Sequence, residues 1–282
     1  MISLAYLILA HAHPKQIGRL VQRLHADHVR FYLHIDANTP NEVYQAIEAA
    51  MPAQANVTFI QRRACRWGGF SLVAASLDLL RAAQVDGFDW AILLSGQDYP
   101  LKSNSFIADY LANTSAKGFI ESKPDFDVRY RYQAWHWERI NGKPLGKLVQ
   151  KIQRGLNACG LRRTLPAPIT QVCAGSQWWM LSQEAVAEIF AILDQHPKIE
   201  AFFSQTLVPD EMFFQTILHH SPIASQISWQ SLRYLEWQAG AWSPRTFEKQ
   251  DLDLLQQRTE LFARKFAADG ELTQMLDEHS KS

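Results

Sequence analysis

The stretch LAYLILA, Leu4 to Ala10, decides the fold. Seven apolar residues in succession, bounded by polar sequence, are expected of a strand buried on both faces. The turn His11-Ala-His13-Pro14 follows. Gln16 to Leu24 then carries Ile17, Leu20, Val21 and Leu24 at the spacing of one helix face. Phe31 to Ile35 reads as a second strand, ending in Asp36-Ala-Asn38-Thr-Pro40. Asn41 to Met51 reads as a second helix and Val57 to Ile60 as a third strand. Strand, helix, strand, helix, strand in this order predicts an α/β fold whose central sheet is mostly parallel and flanked by helices. Ligands of such sheets sit beyond the carboxyl ends of the strands. His11, His13 and Asp36 fall at such ends. Asp36 either contacts a ligand or caps the helix beginning near Asn41. The two histidines lack a third metal ligand of suitable spacing.

Working outward, Arg66-Trp67-Gly68-Gly69-Phe70 is a tight aromatic turn in which glycine lets the backbone approach a neighbour closely. A helix follows from Ser71 to Ala83. Trp90 to Leu94 is another buried strand, and the polar loop Ser95-Gly-Gln-Asp98-Tyr-Pro-Leu-Lys-Ser103 leaves its carboxyl end. Asp98 beside Gln97 is not an Asp-x-Asp metal motif. Asp125-Phe-Asp127 falls in a loop, and Asp251-Leu-Asp253 in a predicted helix, so neither supplies one at a strand end. Asp98 is therefore read as shaping the loop, and no metal is expected. Gly118 to Glu121 reads as a short strand ending in Glu121, which is either an ion-pair partner or a hydroxyl-binding residue.

From Arg129 to Arg163 the chain becomes basic and aromatic, with Glu138 as its one acid. Leu145, Leu148, Ile152 and Leu156 mark an amphipathic basic helix. The segment 126–165 is read as a basic insertion on the acceptor side. Its stretch 139–163 is either a solvated face or a peripheral contact with anionic lipid or a polyanion. Trp178 and Trp179 follow a polar turn, and one of the pair is expected in the core and the other as a platform for a sugar ring. In LVPDEMFFQTIL, Leu207 to Leu218, two acids follow Pro209 at the mouth of a predicted helix. Asp210 and Glu211 either cap and favour that helix, or one serves as a general base. Tyr234, Trp237 and Trp242 form a second aromatic group. A long helix is expected from about Lys249 to Phe266, carrying Arg258, Arg264 and Lys265, and a frayed polar tail over 271–282. No repeat or linker divides the chain, so 1–270 is read as one domain.

The chain has 282 residues, 47% hydrophobic and 20% charged, with zero formal net charge. That composition can bury a large core and argues against a general nucleic-acid binder. Three cysteines form no even disulfide set. The start lacks a basic leader, and its apolar run is too short to span a bilayer. The expected place is the cytoplasm, with peripheral contact at the inner membrane face through 139–163.

Several of these stretches, in order, resemble the core-2/I-branching β-1,6-N-acetylglucosaminyltransferase family, which includes the peptide O-xylosyltransferases. They are Ala5 to His11, Leu33 to Asp36, Trp67 to Ser71, Leu94 to Pro100, Gly175 to Trp179, Pro209 to Phe214, Ser243 to Arg245 and Leu261 to Phe266. The resemblance implies a GT-A-like, inverting, metal-independent glycosyltransferase with a UDP-sugar donor, a glycan or glycoconjugate acceptor and no cofactor. It assigns Glu211 as the base, with Arg245 and Lys265 neutralising the UDP diphosphate. Asp36 and Trp67 go to the UDP-sugar, and Glu121 and Trp237 to the acceptor. From their own positions, His11 at a strand end is read with the donor, and Trp178, as the sugar platform of the Trp pair, with the acceptor. Pro209-Asp-Glu211 is closer to the N-acetylglucosaminyl branch, whereas Gly175-Ser-Gln-Trp178 is shared with the xylosyl branch. A short Trp237–Arg245 segment and missing disulfide cysteines, anchor and stem are those expected of a bacterial, cytoplasmic member. A UDP-xylose transferase and a non-catalytic carbohydrate-binding protein of the same fold remain the competing expectations. A dehydrogenase is disfavoured, since no Gly-x-Gly-x-x-Gly occurs.

Overall fold

The structure is a computed structural model that describes residues 2–123, 126–140, 143–238, 240–241, 243–268 and 270–279. Asp125 and Trp242, both singled out in the sequence, lie outside the described residues, as do 280–282. The strands are β1 (Leu4–Ala10), β2 (Val29–Ile35), β3 (Val57–Phe59), β4 (Trp90–Ser95), β5 (Asp98–Pro100), β6 (Gly118–Ile120), β7 (Trp179–Ser182), β8 (Ile227–Ser228), β9 (Arg233–Leu235) and β10 (Phe262–Arg264). The helices are α1 (Pro14–Leu24), α2 (Asn41–Ala49), α3 (Ser71–Asp86), α4 (Asn104–Asn113), α5 (Arg129–Tyr132), α6 (Pro144–Ala158), α7 (Gln183–Gln195), α8 (Lys198–Phe203), α9 (Phe213–His219), α10 (Leu252–Gln256) and α11 (Glu271–His279).

Among the described residues, seven strands form the central sheet in the order β3-β2-β1-β4-β7-β6-β8. β1 pairs in parallel with β2 and with β4, its Leu4 standing opposite both Val29 and Trp90. Only β7 runs against its neighbours. β1 is wholly buried, as its unbroken apolar run requires. Alternation along it feeds two cores. Ala5, Leu7 and Leu9 face α3, α7 and α9, whereas Leu4, Tyr6, Ile8 and Ala10 face α1, α4 and α11. The result is a three-layer α/β fold. The chain steps outward from β1 to β2 and β3, then returns to place β4 on the other side of β1. That reversal opens a crevice beyond the carboxyl ends of β1 and β4. A small sheet, β5-β10-β9, lies beside it.

Two sequence expectations fail at the carboxyl-terminal end. The predicted helix from Lys249 to Phe266 stops after α10, and Phe262–Arg264 become β10 instead. Leu261, Phe262, Ala263 and Phe266 suit a buried helix or a buried strand equally. Pairing with both β5 and β9 satisfies the backbone of β10 on both sides and decides for the strand. The tail, read as frayed, forms α11. Leu272, Thr273 and Leu276 are buried on one face, and the Tyr99 hydroxyl donates to Asp277 at 2.8 Å.

Candidate active site

At the end of β2, Asp36 organises the turn rather than capping α2, which has no side-chain cap. Its Oδ1 accepts from the Asn38 backbone at 2.8 Å, the Asn38 amide at 3.0 Å and the Cys65 backbone at 3.2 Å. Burial, with the Asp36 charge next, pushes the Cys65 thiol up to about 12, so this cysteine is no nucleophile. His11 is exposed at the end of β1, and its carbonyl accepts from the Thr39 hydroxyl, which ties the two strand ends together.

The 65–71 turn joins this side to the carboxylates. Trp67 projects into solvent, 74% exposed. Gly68 has φ 71°, and its carbonyl accepts from Val208 N at 2.9 Å. Val208 itself has φ 53°, although it is β-branched and precedes proline. Both properties disfavour that region, at a cost of about 1–3 kcal/mol, and such outliers gather at functional sites. The following residues, Pro209–Glu211, form a 3-10 turn.

In that turn the two acids part company. Asp210 is buried, its Oδ1 has no hydrogen-bond partner, and it does not cap α9. Burial first and the neighbouring Glu211 second push its carboxyl up to about 7. The side chain of Glu211 is 38% exposed, and Oε2 accepts from Arg131 at 2.7 Å. The Glu211 carbonyl accepts from Gly175 N at 2.9 Å. Gly175 lies so close to the Glu121 carbonyl that a Cβ there would stand 1.8 Å from it. Hydrogen bonds and this one contact thus run from Asp36 through the 65–71 turn to Glu211, and on to Glu121 at the end of β6. The Glu121 carboxylate pairs with Lys123 at 3.3 Å.

Arg131 went unnoticed in the sequence, as did a second contact of the basic insertion. Glu138 accepts from Ser71 N at 3.2 Å and Ser71 Oγ at 2.5 Å, capping α3 from outside its own segment. Gly69 makes room for it, since a Cβ there would meet Glu138 Cδ at 2.3 Å. The one available signal was Glu138 itself, a lone acid in a basic stretch.

On the other side, Arg245 and Lys265 lie on adjacent backbones, Phe247 N donating to the Lys265 carbonyl at 2.7 Å. Their side chains differ. The guanidinium of Arg245 is held by Asp251 at 2.7 and 2.8 Å and by Glu236 at 2.9 and 3.0 Å. Those bonds, Asp251 first, raise its pKa. The Lys265 ammonium has no hydrogen-bond or ion-pair partner among the described residues, and partial burial, then Arg264, lowers its pKa. Arg264 hydrogen-bonds Ser95 and, with Arg233, flanks the fully buried Asp98. The Arg233–Asp98 pair is close, 2.7 Å, with its N–H not aimed along the line of contact. Trp178 is 8% exposed and lies beneath both guanidiniums, at 4.7 and 5.2 Å. Trp179 is core, as expected for one of the pair. Trp178 is not the open platform expected of the other, because the arginines need its ring face and leave little for a sugar. Trp237 is 55% exposed beside Glu236.

A groove of about 740 Å³ between α3, α7 and α8 shares only Phe70 of the 65–71 turn with this site. Three of its charged residues, Arg63, Asp78 and Arg81, are paired with one another.

The family model described as Core-2/I-Branching enzyme matches residues 4–258, and the chain belongs to that family. It is 27% identical over 304 residues to xylosyltransferase 2 of Mus musculus, covering 99% of this chain and 34% of that protein. It is 28% identical over 291 residues to xylosyltransferase 1 of Homo sapiens, covering 95% of this chain and 29% of that one. The chain thus spans about a third of the length of the curated relatives it matches. A solved 4-diphosphocytidyl-2C-methyl-D-erythritol synthase from Anaerococcus prevotii covers 68% of this chain, and 74% of its own is covered, at 10% identity and TM-score 0.34, too distant to inform the site.

Proposed function

We propose that this chain is an inverting, metal-independent glycosyltransferase that moves a sugar from a UDP-sugar to a hydroxyl of a glycan or glycoconjugate. Glu211 is the base. Its Oε2 is fixed by Arg131, while Oε1 has no protein partner among the described residues and is open to an acceptor hydroxyl. The proton passes to the carboxylate as the hydroxyl oxygen attacks the anomeric carbon. The bond from that carbon to the β-phosphate oxygen breaks, and UDP departs with the electron pair. Negative charge then develops on the diphosphate, where Lys265 and Arg245 stand. Asp36, Trp67 and His11 line the donor end, and Glu121 and Trp237 the acceptor end.

The contrast at Asp210 and Glu211 carries this reading. One acid is buried and pushed towards its neutral form, while its neighbour is partly exposed and oriented by an arginine. The test is turnover and UDP binding by Glu211→Gln, with a chelator present throughout. Transfer should fall by about 10²–10⁴-fold with UDP affinity kept. Undiminished transfer, or activity only when divalent metal is returned, would contradict it.

For the donor, Pro209-Asp-Glu211 supports N-acetylglucosamine, in β-1,6 linkage. The second reading is xylose, favoured because the relatives above are named xylosyltransferases. Competition between the two UDP-sugars for turnover separates them.

A further inference from the structure

α6 is turned inside out. In α1, the apolar face of Ile17, Leu20, Val21 and Leu24 is buried completely. α6 carries a similar stripe, Leu145, Leu148, Ile152 and Leu156, yet the first three are 55–57% exposed. The residues it buries are Gly146 and Gln153, the small and polar ones. Leu161, 63% exposed, follows the helix, and Trp137, 43% exposed, precedes it in the same basic segment. Lys147, Lys151 and Arg154 fall on the remaining face at 100° per residue. With Arg139, Lys143 and Arg162 they make six cations between 139 and 162, where the sequence has no acid. None of the six is in an ion pair among the described residues. No described helix is long and apolar enough to cross a membrane.

We propose that α6 and its flanks dock on an anionic lipid surface, with the helix lying in the plane of the interface. An apolar stripe beneath a basic face is the pattern such helices use. Fifteen residues span about 22 Å, enough to reach several headgroups. A soluble polyanion would satisfy the cations but leave the leucines in water. A second copy meeting stripe to stripe would bring two sets of unpaired cations together. A bilayer with anionic headgroups satisfies both faces at once.

The experiment is co-sedimentation of the full chain with vesicles of phosphatidylcholine, alone or with about a third phosphatidylglycerol. The chain should bind the anionic vesicles only, and less at raised salt. K147Q/K151Q/R154Q should weaken that binding by about a hundredfold. L148E/I152E should abolish it while melting like the wild type, since both side chains face solvent. A second readout needs no variant. Cys159 is exposed just beyond α6, whereas Cys65 and Cys173 are more buried. An environment-sensitive dye on Cys159 should shift to the blue on anionic vesicles. Equal binding to neutral vesicles, no binding and no dye shift, or binding to soluble heparin in place of vesicles would overturn the proposal. So would a dimer in sedimentation velocity that L148E/I152E dissolves.

Discussion

Two arginine–carboxylate clusters flank the small sheet, and they differ chiefly in how much water they see. In one, Asp98 is fully buried between Arg233 and Arg264, whose side chains are 2% and 16% exposed. In the other, Arg245 is 21% exposed between Glu236 and Asp251, at 37% and 11%. The first has one acid to two bases, the second two acids to one base. Buried charges cannot be released without large desolvation costs, so the Asp98 cluster reads as architecture. Partly exposed charges can change partners, and Lys265 beside them has none among the described residues. The lesson is that a charge count does not locate a phosphate site. The closed cluster carries the net positive charge, yet the open one has side chains a ligand can reach.

The sharpest way to break this contrast is Asp98→Ala. Two buried guanidiniums would lose their counter-ion, and Ser95 its acceptor at 2.5 and 2.6 Å. Stability should fall by about 3–5 kcal/mol, read from urea unfolding. An unchanged midpoint with UDP binding lost would make the closed cluster the ligand site after all.

The same contrast recurs one residue apart at Asp210 and Glu211, and pH exposes it. The folded chain holds Asp210 protonated up to about pH 7, whereas the unfolded chain ionises it near its ordinary value of about 4. Between those values the unfolded state binds fewer protons. The contribution of Asp210 to stability therefore falls as pH rises through that window and is constant outside it. Relative to wild type, Asp210→Asn should gain on the order of 2–4 kcal/mol between pH 4 and pH 8. Parallel stability curves for the two proteins would show that Asp210 is ionised in the folded state.

The legible parts of this molecule were those encoded locally. An unbroken apolar run gave β1, and periodicity gave α1. Strand order placed Asp36 and the Ser95–Asp98 loop at the crevice. What was not legible depends on partners distant in sequence. Glu138 caps α3 from 67 residues away, and Arg131 reaches Glu211 across 80. Neither spacing leaves a periodic trace. Phe262–Arg264 became a strand because two other strands were waiting on either side, which helical spacing could not reveal. Trp178 had the composition of a sugar platform, and two arginines brought from β9 and β10 covered it.

Lys265→Ala sharpens the comparison from the open side. Its ammonium is already partly stripped of water and makes no bond among the described residues. Removing it should weaken UDP binding by about ten- to a hundredfold, measured calorimetrically, since a charge-assisted bond to phosphate is lost. The unfolding midpoint should stay within about 0.5 kcal/mol of wild type. A stability loss without an affinity loss would move Lys265 to the architectural class.

The smallest effect tests whether Arg245 can be released. Of its two partners, Asp251 is the more buried and also accepts from Glu248 N at 2.8 Å in a capping box, so it is needed where it is. Glu236 is the more exposed and holds Nε and Nη2. If a diphosphate recruits Arg245, it does so by displacing Glu236, and that carboxylate competes with the ligand for the same donors. Glu236→Gln keeps the shape and removes the competing charge. UDP binding should tighten by about two- to fivefold at low salt, the scale of an exposed ion pair, and the gain should shrink as salt rises. Weaker binding would mean that Glu236 orients Arg245 for the ligand. No change, with Arg245→Ala equally silent, would leave Lys265 to meet the diphosphate without it.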